Sequence, residues 1–232
     1  MTAIRNDSGE TKGDKTRRRI LDAAASEFRH NGYAATSLKV IADRVGVRVA
    51  SLYHHFPSKE SLVEEILAIG RDRTESATRD AVTSMGVTAS PIARIRSAIA
   101  AHVSSNLNSG DYAVATLRIL GQVPEAVRKR QVEGQKAYAK FWSDLLDEGR
   151  AAGEIRSDLN PKLVRMLLFG AMNWAVEWYR PDGNSAAEIA AVASEMILSG
   201  LHTSGREPVG QGSRAARGRS AARKVLPRKQ ER

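Results

Sequence analysis

The sequence predicts an all-α protein: a small N-terminal three-helix unit followed by a larger helical domain. Three observations lead there. Between Asp14 and Leu201, apolar residues recur at three- and four-residue spacing nearly throughout. No segment alternates with period two for long enough to form a strand. The breaks fall where turn chemistry puts them, at Asn31-Gly32, Gly46, Pro57, Pro91, Gly110, Pro124, Gly153, Pro161 and Pro181-Asp182-Gly183.

Residues 1–13 are polar and carry no apolar period, and are expected to form a mobile arm. Ile20, Leu21, Ala24 and Phe28 mark one face of the first helix, which Asn31-Gly32 should end because glycine adopts a left-handed backbone freely. Thr36-Ser37 offers an N-cap to a short helix whose apolar residues Leu38, Ile41, Ala42 and Val45 fall on one face. That helix should stop at Gly46, and a third should run through Leu52 and Phe56 to Pro57. Ser58 then caps a longer helix carrying Leu62, Ile66 and Ile69. Five more helices are expected at about 91–108, 111–121, 125–152, 161–179 and 185–201. From Thr203 the chain is rich in Arg, Gly, Ser and Ala and should remain a disordered basic tail. The expected organisation is thus an arm at 1–13, a three-helix domain at 14–60, a second domain at 61–202 and a tail at 203–232.

With 42% apolar and 27% charged residues, the composition is that of a globular protein. The absence of cysteine excludes disulfides and thiolate metal sites. No run approaches the ~20 apolar residues of a membrane span, and a cytoplasmic location is expected. The net charge of +10 is concentrated in the last 30 residues, which hold nine basic side chains against two acidic. The folded part is nearly neutral, so specific DNA contact has to come from placement. No Gly-x-Ser-x-Gly elbow, phosphate loop or His-Glu-x-x-His motif occurs, and catalysis is not expected. No cofactor is implied.

The second and third helices, joined by a turn at Gly46, make a helix-turn-helix whose second member enters the major groove of DNA. Leu52 should face inward with Val47 and Phe56. That leaves Arg48, Val49, Ala50, Ser51, Tyr53 and His54 largely outward. Small residues at 50 and 51 allow close approach to base edges, and Arg48 can pair with guanine or clamp a phosphate. Thr36, Ser37, Tyr53, His54 and Lys59 flank that surface as candidate phosphate anchors. His54 and His55 point to different helix faces, which argues against a shared metal, and no metal site is expected.

Thr36-Ser37, Ile41-Ala42, Gly46-Val47, Leu52-Tyr53-His54-His55-Phe56 and Ser58-Lys59-Glu60 together resemble the DNA-binding signature of TetR-family transcriptional regulators. Arg48 departs from the pattern, since family members often carry a small residue there. The resemblance implies a homodimer on a palindromic double-stranded operator, with an inducer-binding C-terminal domain. The run from Ala151 to Gly183 resembles a subgroup that regulates fatty-acid and steroid-ring catabolism in response to acyl-CoA thioesters. That likeness implies ligand contacts from Arg128 and Arg130, facing phosphates, and from Trp142, Phe169, Asn173, Trp174 and Trp178. Trp174 and Trp178 read equally well as packing residues, and Arg128 to Arg130 as a solvated helix face. A dimer face is expected from Gly170 and Ala171 on one helix and Ile189, Val192, Ala193, Met196 and Gly200 on the next. A competing reading, an architectural nucleic-acid binder driven by the basic tail, rests on the tail's charge.

Overall fold

The computed structural model describes residues 11–203. Ten helices follow one another among them: α1 Lys12–Ala35, α2 Leu38–Val45, α3 Val49–His55, α4 Lys59–Ser84, α5 Pro91–Asn108, α6 Asp111–Ile119, α7 Glu125–Gly134, α8 Lys136–Ala151, α9 Pro161–Trp178 and α10 Ala186–Leu201. No strand occurs among the described residues, only one isolated bridge between Ile155 and His202. The basic tail lies outside the described residues except for Thr203, whose hydroxyl donates to the Gly153 carbonyl at 3.1 Å.

Local chemistry sets the helix ends. Thr11 caps α1 in a reciprocal box with Asp14, so Lys12 and Gly13, expected in the arm, are helical. Residues 1–10 of that arm lie outside the described residues. Gly32 interrupts α1 with φ 73° and ψ 177°, and one further turn follows it to Ala35. Gln122 holds that break, accepting from the Tyr33 N–H at 2.9 Å. Gly46 closes α2 in the left-handed region at φ 74° and ψ 36°, where a side chain would be strained. The helix expected over 125–152 is divided at Gln135 into α7 and α8. The end of the Arg71 side chain lies against Gly134 beside that division and would have to shift for a Cβ there.

Two apolar cores hold the chain. The first joins Ile20, Ala24 and Phe28 of α1, Ile41 of α2, Leu52 of α3, and Leu62 and Ile66 of α4. Each fully buried Ile, Leu or Phe side chain among these contributes about 1.5–3 kcal/mol relative to exposure. Tyr112, Ala115 and Ile119 of α6 and Val127 of α7 belong to the same core. The second core gathers Val82, Ile95, Ile99, Val103, Trp142, Leu168, Met172 and Leu198, from α4, α5, α8, α9 and α10. Packing therefore does not divide at residue 60: α4 enters both cores, and α6 packs against α1.

Candidate DNA-reading surface and ligand cavity

Val45 and Leu52 belong to the first core, in which α2 packs on α1 and α3 on α2, and Leu52 is fully buried while Ala50, Ser51, Tyr53 and His54 face solvent. Arg48, Ala50, Ser51, Tyr53 and His54 are exposed, and Tyr53 retains 51% of its surface. Arg48 is the N-cap residue of α3 with no side-chain cap bond, so its guanidinium is not tied to the helix start. Val49 is half-buried against the first core and offers only part of itself to a base edge. His54 and His55 meet edge to face at 5.8 Å.

The anchors expected beside α3 separate into two groups. Ser37 is exposed and caps α2, its oxygen accepting from the Val40 N–H at 3.2 Å, which leaves its hydroxyl proton for a phosphate. Thr36 has to be removed from the set: it is buried, and its hydroxyl donates to the Gly32 carbonyl at 2.8 Å, closing the break in α1. Lys59 is already engaged. Its ammonium lies 3.9 Å from the Tyr33 ring centroid and donates to the Tyr33 carbonyl, and burial lowers its pKa. It has two further N–H donors for a phosphate.

The second feature is a cavity of about 470 Å³ lined from α4 to α9, within the ~300–1,000 Å³ common for small-molecule sites. Leu117 of α6, Leu120 at its C-cap, and Met166, Phe169 and Val176 of α9 provide apolar wall, and Arg71 and Arg165 provide cationic groups. Arg71 donates to Gln131 at 3.0 Å, and Arg165 to the Ala139 carbonyl at 2.9 Å and to Ser143 at 2.8 Å. His102 of α5 is buried in the wall beside Tyr138, Asn106 and Asn173. Burial pushes its pKa down to about 4, against a smaller opposing pull from Asn173, whose Oδ1 would accept from the protonated ring, so the imidazole is neutral at physiological pH.

Of the ligand contacts expected from sequence, Phe169 and Asn173 line this cavity and the others do not. Trp142 is fully buried in the second core and packs against His102, Tyr138 and Phe169. Arg128 and Arg130 lie exposed on α7, with Arg130 paired to Glu64. Trp174 and Trp178 face outward, 66% and 53% exposed. They continue an outer stripe with Leu163, Leu167, Gly170 and Ala171 on α9, because a four-residue step returns to the same helix face. On α10, Val192 and Met196 are exposed, and Gly200 is partly so. Ile189 and Ala193 instead pack in part against their own protomer's second core.

The model of the bacterial regulatory proteins of the tetR family matches residues 20–66, and that of the tetracyclin repressor-like C-terminal domain matches residues 88–201. The HTH-type transcriptional repressor KstR2 of Mycobacterium tuberculosis is 31% identical over 188 residues, covering 80% of this chain and 92% of its own. The chain belongs to the TetR family. The solved structure of the ketosteroid transcriptional regulator KstR2 covers 85% of this TetR-family chain and 99% of its own, at a TM-score of 0.73 and 28% identity. The structure of AibR in complex with isovaleryl coenzyme A and operator DNA covers 79% and 98%, at a TM-score of 0.69 and 25% identity. The fatty acid metabolism regulator protein of Bacillus subtilis is 27% identical over 79% of this chain and 94% of its own. The tetR-family match at residues 20–66 spans α2 and α3.

If α3 enters the groove with its exposed face, Arg48→Ala should weaken operator binding by about 1–3 kcal/mol, the worth of a forked arginine contact. Tyr53→Phe should weaken it by about 0.5–1.5 kcal/mol, one hydrogen bond. Anisotropy titrations on operator DNA, with the dimer confirmed by gel filtration, check both. Unchanged affinity in the pair would remove α3 from the groove.

Proposed function

We propose that this chain is a homodimeric transcriptional repressor that holds a palindromic operator through α3 and is released by an acyl-CoA thioester bound in the cavity. We take the helices up to residue 60 as the DNA-reading unit and residues 61–202 as the ligand-binding and dimerising unit. One observation carries the coupling between them. Helix α6 belongs to both sites: Ala113, Thr116 and Leu117 line the cavity, while Tyr112, Ala115 and Ile119 sit in the core of the DNA-reading unit.

The bonds of α6 to the DNA-reading unit make that coupling concrete. Tyr112 donates to Asp22 of α1 at 2.8 Å, Arg29 pairs with Asp111 at 2.7 Å, and Arg118 donates to the Arg29 carbonyl at 2.7 Å. A ligand that displaces α6 outward would carry α1 with it and change the separation of the two recognition helices in a dimer. The shift can be no larger than the ligand's difference in affinity for the two conformers. Moving an equilibrium from 99:1 to 1:99 takes about 5.5 kcal/mol.

The acyl part would occupy the apolar wall, with Phe169 and Asn173 among its contacts. Arg71 and Arg165 would meet the anionic end of the ligand, in place of Arg128 and Arg130. Such a protein is a binder and not an enzyme, works in the cytoplasm where operator DNA lies, and needs no cofactor.

The test is fluorescence anisotropy on DNA from upstream of the protein's own gene, against a scrambled duplex at near-physiological salt, with and without a long-chain acyl-CoA. Preference for the upstream duplex, abolished by the thioester, is the expected result. Preference that the thioester leaves unchanged would refute the ligand class. Truncation after His202 should keep the sequence preference; if it instead removed most of the affinity, the tail-driven architectural reading would replace this one.

A further inference from the structure

We infer that the cavity reads an oxygen function, a hydroxyl or a ketone, on the hydrocarbon part of its ligand, through the polar triangle His102, Asn106 and Asn173. The inference rests on the reading of the cavity as an inducer site for a CoA thioester.

His102 Nε2 lies 2.9 Å from Asn173 Oδ1 and 3.0 Å from Asn106 Nδ2, and those two amide atoms lie 3.0 Å from each other. Each of the three atoms is either a donor or an acceptor, whichever way an amide is turned or the imidazole tautomer is set. Three such atoms in mutual contact always include one pair of the same kind. Here the chain of bonds selects which. The Thr78 hydroxyl donates to the Thr74 carbonyl at 2.7 Å, so the Tyr138 phenol donates to Thr78 at 2.9 Å. The phenol oxygen then accepts from His102 Nδ1 at 2.8 Å, which leaves Nε2 a bare acceptor facing Asn173 Oδ1.

All three residues line the cavity, so a ligand can resolve that contact. A ligand hydroxyl can donate to one of the two acceptors and accept from the Asn106 amide, whose two hydrogens otherwise reach Nε2 and Oδ1. A ketone accepts from an amide N–H once an asparagine turns toward it. A saturated chain does neither, and it would cover polar groups without replacing their water, which costs free energy. A site for plain fatty chains would be better served by leucine at 106 and 173. The apolar wall still requires that the ligand have a hydrocarbon body.

The experiment titrates the full chain on its operator duplex with decanoyl-CoA and with the same chain bearing a terminal hydroxyl or a penultimate ketone. At least one oxygenated thioester should release the DNA at a concentration about tenfold lower than decanoyl-CoA. In Asn173→Leu that preference should disappear. Equal or better release by decanoyl-CoA overturns the inference while leaving the inducer reading intact. Release by no thioester overturns both. The comparison in the unaltered protein decides the matter even if Asn173→Leu does not fold.

Discussion

Placing aspartate at both Leu167 and Met196 should split the dimer and lower operator affinity by at least about a hundredfold. These side chains are 74% and 72% exposed on α9 and α10, so neither substitution disturbs the protomer's own cores. With Trp174 and Trp178 they form an outward apolar surface of the kind that monomers rarely leave uncovered. Twofold pairing of α9 and α10 would bury four added carboxylates, each costing several kcal/mol when desolvated without a partner. Loss of the dimer removes the second recognition helix, and linked half-sites gain about 10²–10⁴ in avidity over one. Gel filtration and anisotropy on the full palindrome and on a single half-site read the outcome. A folded monomer that binds both duplexes equally weakly is expected. If the variant stays dimeric, the interface lies elsewhere on the molecule.

The sequence makes plain those features that a residue and its near neighbours decide. The left-handed end of α2 at Gly46 and the serine caps at Ser37 and Ser58 are of this kind, as is the inward register of Leu52 and Phe56. Periodicity also places Trp174 and Trp178 on one stripe. It does not distinguish an inner stripe from an interface stripe, because both are apolar. Thr36 is a similar case: it sits where a phosphate anchor is expected, but the break at Gly32 supplies a carbonyl that takes its hydroxyl.

The polar cluster in the cavity wall is partly legible. Ile95, Ile99, His102 and Asn106 recur at three- and four-residue spacing along α5, and that register places a histidine and an asparagine on the inner face. Their partners Tyr138 and Asn173 lie 36 and 71 residues from His102 along the chain, and local pattern does not connect them. The packing of α6 against α1 is hidden for the same reason, and it is the contact on which the proposed coupling depends.

Acidification should destabilise the protein through His102 by about 3 kcal/mol between neutral pH and pH ~4, a size that follows from 1.36 kcal/mol per pKa unit. The folded-state pKa of about 4 is below the ordinary value of 6.5, so in this window the unfolded chain takes up the proton first. Stability that is complete above the ordinary value is therefore lost as pH falls through the window and levels off below the folded value. Tyr138, Trp142 and Phe169 pack around the ring, with Asn106 and Asn173 at its Nε2, and none of these is a carboxylate able to hold an imidazolium. Urea unfolding of the wild type and of His102→Gln across this range separates the histidine from the carboxylates, which titrate in both proteins. The slope of stability against pH should be shallower in the variant whatever its absolute stability, and equal slopes would assign the acid sensitivity to the carboxylates. Because the folded imidazole titrates so far below neutrality, His102 should contribute no change to ligand release of the operator between pH ~6 and ~8. His102 then acts as a fixed neutral hydrogen-bonding group in the cavity wall and not as a sensor of pH.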